Sequence, residues 1–324
     1  GTITPPIDGG TITPPIDGGT ITPPIDGGTI TPPINGGTTT PPIDGGTTTP
    51  PIDGGTTTPP IDGGEESLPG DSGSDDFLRG DANQNTLRGG RGNDTIFGMH
   101  NDDQLFGDRD DDIINGNQGS DRVYGGPGND LVRGGQNDDL VSGDTGDDTL
   151  FGDNGNDTVL GGEGNDIING NQGNDRVYGG EGNDLVRGGQ NDDLVVGDAG
   201  DDNLFGDNSN DTILGGFGND TLTGGTGDDL LNGGIGNDWL KGGAGNDIFV
   251  LTPGAGIDTI IDFNPGQDLL GLSGIAFDQL TITQGTGSQA QDTLIRIASS
   301  GELLASLTGL PANSIAPDIF TNLQ

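Results

Sequence analysis

From Gly89 to Val250 the chain is eighteen nonapeptides laid end to end, each with Gly at position one, Asp at position six and an apolar residue at position eight. Examples are Gly125-Gly126-Pro127-Gly128-Asn129-Asp130-Leu131-Val132-Arg133 and Gly161-Gly162-Glu163-Gly164-Asn165-Asp166-Ile167-Ile168-Asn169. One further repeat, Gly80–Arg88, precedes them with Asn85 in place of the Asp, so the array covers residues 80–250 without an insertion. A larger duplication is superimposed: Ile113–Gly162 returns with few changes as Ile167–Gly216, a shift of 54 residues or six repeats. Unbroken periodicity of this kind specifies a small unit stacked on copies of itself, because nine residues cannot bury their own apolar face.

The nine positions predict their own geometry. Glycine at positions one, two and four permits positive φ and close backbone approach, which predicts a turn over the first six residues. The last three, for example Thr95-Ile96-Phe97, favour a short strand. Alternation then turns position eight inward and positions seven and nine outward. Two repeats close one coil as turn, strand, turn, strand. Nineteen repeats give roughly nine to ten coils, stacked in parallel at about 4.8 Å into a rod of about 45 Å.

Little in the composition holds such a rod together. Hydrophobic residues make up 27% of the 324-residue chain, and 52 Asp and Glu against 10 Lys and Arg give a formal charge of −42. That is the composition of a disordered chain, unless a cation neutralises it as it folds. One inward aliphatic side chain in nine does not offset the ordering of nine backbone residues. Stacking also places the Asp of one coil over the Asp of the next. Carboxylates and turn carbonyls are hard oxygen ligands that suit Ca²⁺, whereas Mg²⁺ demands a tighter octahedron and keeps its waters. Zinc and copper favour His and Cys, of which the chain has one and none. The acidic balance excludes nucleic acid and anionic membrane surfaces as partners. No stretch reaches the ~18 apolar residues of a transmembrane helix, so membrane insertion is not expected.

The repeat resembles the glycine-rich nonapeptide GGxGxDxUx of the RTX (repeats-in-toxin) proteins, over residues 80–250. The resemblance implies an all-β fold, a right-handed parallel β-roll (β-solenoid) with several Ca²⁺ ions held between turns two repeats apart by Asp carboxylates and turn carbonyls. Carried over position by position, it makes ligands of Asp94, Asp103, Asp112, Asp121, Asp130, Asp139, Asp148, Asp157, Asp166, Asp175, Asp184, Asp193, Asp202, Asp211, Asp220, Asp229, Asp238 and Asp247. Asp94 then pairs with Asp112, Asp103 with Asp121, Asp130 with Asp148, and so on to Asp229 with Asp247. Segment 242–261 and the tail behind it resemble the C-terminal caps of cyanobacterial RTX proteins. Asp318-Ile319-Phe320 is similar to the uncleaved C-terminal signals read by type I secretion machinery. Position four departs from Gly at Asn101, Asp110, Asn137, Asn191 and Ser209, and position two is Asp or Asn at Asp108, Asn117, Asp144, Asp153, Asn171, Asp198 and Asp207. Asn and Asp tolerate left-handed geometry, so the turn is expected to survive there. Asn85 is expected to weaken or remove the first site.

Residues 1–63 are seven other nonapeptides, GTITPPIDG drifting to GTTTPPIDG, with Asn35 replacing the Asp of the fourth. The Pro pairs exclude a helix or central strand and predict an extended polyproline-II linker or stalk. Residues 64–79 are a transition. Residues 251–324 lose the period, and the runs Asp258–Phe263, Leu269–Leu272, Leu280–Thr283, Thr293–Ile297 and Leu303–Leu307 predict a small β cap. The chain begins at Gly1 rather than Met and shows no signal peptide, as expected of a fragment or a processed form.

The other chemistry-bearing residues read as structural. His100, the one histidine, falls in a turn; Trp239, the one tryptophan, is expected to pack near the cap. Acid pairs such as Asp102-Asp103, Asp138-Asp139 and Asp228-Asp229 recur with the repeat and read as a ligand beside a solvated neighbour. Tyr124 and Tyr178, and Arg133 and Arg187, are equivalent under the 54-residue shift and are expected to decorate one face. No catalytic motif occurs, and an enzyme is not expected. The expected function is that of a calcium-binding secreted or cell-surface structural module that folds on Ca²⁺ after export. Two alternatives stand beside it: the export module of an enzyme or toxin whose catalytic domain lies upstream, and a self-associating fibre or adhesin.

Overall fold

The structure is a computed structural model that describes residues 67–69 and 73–323. The Pro-rich repeats of 1–63 lie outside the described residues. From Thr86 to Ala244 the chain alternates between two parallel sheets, one six-residue strand per repeat. Thr95–His100 pairs with Ile113–Gln118, which pairs with Leu131–Gln136, each partner eighteen residues on. Thr86–Arg91, Gln104–Arg109 and Arg122–Pro127 do the same in the other sheet. Two repeats therefore make one coil. The sheet that begins at Ser67–Pro69 has 13 strands and the one that begins at Phe77–Arg79 has 14; they are called the first and second sheets below.

The core is a single file of position-eight side chains. Leu87, Ile96, Leu105, Ile114 and their successors through Leu240 and Phe249 are at most 1% exposed. They form one cluster that runs on into the cap.

The ladder extends further than the three residues expected of each strand. It covers positions seven to nine and resumes at positions two and three of the next repeat, with a gap at position one: Thr95, Ile96, Phe97, Met99 and His100 have partners in the next coil, and Gly98 has none. Once coils stack at an eighteen-residue shift, every segment faces its own copy, so pairing continues around the corner. Position-one glycine sits at that corner for want of space, not for positive φ. No position-one glycine of the array has positive φ, whereas those at positions two and four do, except Gly236. A Cβ on Gly161 would lie within 3 Å of both the Gly179 carbonyl oxygen and Asp166 Oδ2. The departures from glycine behave as expected of Asn and Asp. Asp108, Asn117, Asp144 and Asp153 at position two, and Asn101, Asp110, Asn137, Asn191 and Ser209 at position four, all take φ between 64° and 80°.

Outward position-nine side chains form clamps that cross the coils. Arg133 lies 4.2 Å over the Phe151 ring and 2.9 Å from Asp153. Arg187 makes the same contacts with Phe205 and Asp207, one superrepeat later. Arg88, Phe106 and Asp108 do so in the first sheet, where Phe106 also stacks on Tyr124.

The tail continues both sheets. Leu269–Ser273 and Phe320–Leu323 extend the first in parallel. Asp258–Ile260 and Leu303–Leu307 extend the second, which then closes with antiparallel Thr293–Ile297 and Leu280–Gln284. The five predicted runs are all strands. The sixth strand, Phe320–Leu323, was not expected from its short mixed sequence; pairing with Leu270–Ser273 supplies what local propensity lacks. The signal-like Asp318-Ile319-Phe320 folds into the cap, with Ile319 buried. Trp239 does not pack as expected. It stands at an outward position seven and is 56% exposed. Among the described residues no helix is long and apolar enough to cross a membrane.

Candidate metal centre

Position six lies where the chain leaves the turn to enter the next strand. There its backbone carbonyl accepts from the residue beginning the strand one coil on, as Asp94 does from the Ile113 N–H at 2.9 Å. This fixes the residue and turns its side chain inward. All eighteen predicted aspartates are buried, none more than 4% exposed. They form two rows, one at each turn edge of the rod.

Within a row the hydrogen bonding is the same at every step. Asp112 Oδ1 accepts from the Asp94 N–H at 2.7 Å, Asp130 Oδ1 from Asp112 at 2.7 Å, and Asp148 Oδ1 from Asp130 at 2.7 Å. The second row repeats this from Asp103 and Asp121 to Asp229 and Asp247. The predicted pairs are thus neighbours, and each aspartate has one neighbour above and one below. Asn85 heads the second row and donates its N–H to Asp103 at 2.7 Å.

The second carboxylate oxygen is left over. From Asp112 to Asp238, every position-six Oδ2 is buried without a hydrogen-bond partner. Each points at the bare Cα of the position-one glycine in its own repeat, in most repeats beside the carbonyl oxygen of the equivalent glycine one coil on. Asp112 Oδ2, Gly107 and the Gly125 carbonyl form one such group. A buried charged oxygen with no donor is costly, and a row of them is more so. Burial is the largest cause that lifts the Asp139 and Asp193 carboxyls to about 8, with the row neighbours Asp121 and Asp157, or Asp175 and Asp211, pushing the same way. Asp112, Asp130 and Asp148 are lifted to about 7, again chiefly by burial, against the pull of the N–H bond from the preceding coil.

Among the described residues no three Asp, Glu, His or Cys side chains converge on one point. A cation held here must therefore combine carboxylate with backbone carbonyl oxygen. An all-oxygen set of mixed charge, with an unsatisfied carboxylate oxygen at its centre, fits a hard ion of high coordination number such as Ca²⁺.

Position five does something that its reading as a solvated neighbour missed. Its side chain accepts from the backbone of the next coil, opposite in direction to the inner row. Asn129 N–H donates to Asp111 at 2.9 Å, Asp147 to Asn129 at 3.0 Å, and Asn165 to Asp147 at 2.8 Å. In these outer ladders no Asp stacks on an Asp. One reads Asp111, Asn129, Asp147, Asn165, Asn183, Asp201, Asn219 and the other Asp138, Asn156, Asn174, Asp192, Asn210, Asp228, Asn246. Hydrogen bonds from Asn165 and Asn246 lower the carboxyl pKa of Asp147 and Asp228. The outer ladder is satisfied by protein alone; the inner row is not.

Two members of the inner rows were missed. Asp258 takes the Asp238 N–H at 3.4 Å and Asp268 the Asp247 N–H at 3.2 Å, each about 5% exposed. Their spacings of 20 and 21 residues break the period that identified the rest. Burial also lifts Asp258, to about 8, helped by Asp238.

Comparison with known proteins agrees with this geometry. The family model of the RTX calcium-binding nonapeptide repeat matches ten overlapping segments that together span residues 70–260. The chain belongs to this family. Its RTX repeats bind Ca²⁺ at multiple sites and form a parallel β-roll. Among solved structures, the AlgE6R3 subunit of the Azotobacter vinelandii mannuronan C5-epimerase is 30% identical over 39% of this chain and 78% of its own, with a TM-score of 0.30. The extracellular lipase LipA from Serratia marcescens is 17% identical over 71% of this chain and 40% of its own, with a TM-score of 0.25. No curated protein sequence matches.

Proposed function

We propose that the two inner rows, Asp94 to Asp247 at position six, are the Ca²⁺ ligands, and that Asp258 and Asp268 extend them into the cap. In this reading the chain is a secreted or cell-surface structural module, not a catalyst. It remains unfolded where Ca²⁺ is scarce, passes through type I secretion machinery in that state, and stiffens outside where Ca²⁺ is plentiful. In this reading residues 251–323 close the roll. The observation that carries the reading is the file of buried, donor-less Oδ2 atoms from Asp112 to Asp238. Such a file opposes folding until a cation enters, which couples folding to the compartment.

The test of the export step is co-expression with a type I exporter. The full chain should appear in the medium. A fusion with a tightly folding domain at its N-terminus, which leaves the C-terminal signal free, should not. Equal export of both would refute the requirement for an unfolded passenger. Absence of the native chain from the medium would refute type I export itself.

A further inference from the structure

The acids of the rod lie on its edges. On the outer faces of both sheets, positions seven and nine from Phe77 to Val250 hold no Asp or Glu, in a chain with 52 of them; the face of the second sheet stands apart in its apolar exposure. That face also carries most of the large apolar side chains left in solvent. Ile113 is 48% exposed, Leu131 36%, Ile167 50% and Leu185 37%, all in the position-seven column. An apolar column, interrupted only by Thr149, on a highly charged monomer marks an interaction surface.

We propose that this face joins two copies of the chain, rods antiparallel, about a two-fold axis that runs along the strand direction through the coil of Thr149. The argument is self-complementarity, which a two-fold interface requires. With that axis, position seven meets position seven and coils run in opposite order. Leu131 then faces Ile167, Ile113 faces Leu185, and Thr149 faces its own copy. In the position-nine column Arg133 faces Asn169 and Asn115 faces Arg187, so no cation opposes a cation. The 54-residue duplication produces this: it spaces the Ile-Leu pairs equally on either side of Thr149.

Another arrangement fits worse. A two-fold along the rod would set position seven against position nine, putting Leu131 on Arg133 and Ile113 on Asn115. The footprint supports only a weak, reversible dimer, below the ~1,200 Å² of stable specific interfaces. Nine coils of three residues cover about 43 Å by 10 Å, or about 900 Å² in total over both copies, at the low end for specific interfaces.

The experiment uses the full chain, which has no cysteine, at millimolar Ca²⁺ and high protein concentration, with circular dichroism confirming the β fold of each variant. Sedimentation should show a dimer. Thr149→Cys should be cross-linked to a dimer by a short bis-maleimide at least tenfold faster than Thr95→Cys. In the antiparallel pair the Thr149 sites lie across facing sheets about 10 Å apart, whereas the two Thr95 sites are six coils, about 29 Å, from each other. Leu131→Glu should abolish the dimer and leave the β signal unchanged. A strict monomer, equal cross-linking of the two thiol variants, or a dimer that survives Leu131→Glu would overturn the proposal.

Discussion

At neutral pH, chelation with EGTA should convert the far-ultraviolet spectrum of the array from β to unfolded, and millimolar Ca²⁺ should restore it. This is the largest effect expected of the protein. The position-eight file supplies one buried aliphatic side chain per nine residues, too few to order the backbone unaided. Against folding stand two rows of buried carboxylates, each next in line to its like. Every site filled at tenfold excess over its dissociation constant contributes about 1.4 kcal/mol, and the stacked sites add along the rod. The transition should therefore be steep in Ca²⁺ concentration. Acid should act in the same direction as the ion. The buried carboxyls of Asp112, Asp130, Asp139 and Asp193 have folded-state pKa values of about 7 to 8, above the ~3.9 of an unfolded Asp. Without the cation, their penalty is absent where both states are protonated and grows as pH rises through the folded value. The EGTA-treated chain should regain β structure as pH falls from about 8 toward 4. In Ca²⁺ the opposite holds, because protons compete for the ligands: the midpoint should move to higher Ca²⁺ at lower pH.

Gly161→Ala should be among the damaging single substitutions of a neutral residue by a neutral residue in the array. Its new methyl would meet a backbone carbonyl, that of Gly179, and the fixed Oδ2 of Asp166. Neither is a flexible side-chain end, so the cost should reach or exceed the ~3 kcal/mol upper range of overpacking. The adjacent Gly162→Asn should cost much less, although Gly162 has φ of +122°. Other repeats already place Asp153 and Asn171 at position two with φ of 76°, and these two are paired neighbours in one column. Urea denaturation of both variants in saturating Ca²⁺ separates the two effects. Comparable loss in both would mean that position-one glycine is retained for backbone freedom after all.

The two glycines show what the sequence made legible and what it did not. Reading along the chain identified the nine-residue unit, the inward position eight and the inner rows, because each recurs at a fixed interval. For position one it named positive φ and close backbone approach together, and only the close approach holds. Steric exclusion by Gly179 is a contact between coils, invisible until residues eighteen apart are set side by side. The outer ladder was hidden for the same reason. Asn and Asp at position five look interchangeable within one turn, and only the column shows that Asp111 and Asp147 are separated by Asn129. Asp258 and Asp268 escaped because the chain adds two and three residues where the cap begins. Trp239 stands at the outward position seven that its place in the repeat predicts, but the packing expected of it near the cap is not found, because it is 56% exposed.

The central claim is that calcium is held by the inner rows and not by the outer ladders, and bound-ion stoichiometry tests it directly. Equilibrium dialysis at saturating Ca²⁺ should compare the native chain with Asp130→Asn/Asp148→Asn and with Asp138→Asn/Asp147→Asn. Each pair removes two charges, and Asn preserves the Oδ1 acceptor in both. The inner-row variant should bind fewer ions, by one or more, and require more Ca²⁺ to fold. The outer-ladder variant should match the native chain in stoichiometry and midpoint. Equal loss from both variants, or loss from the outer pair alone, would contradict the assignment.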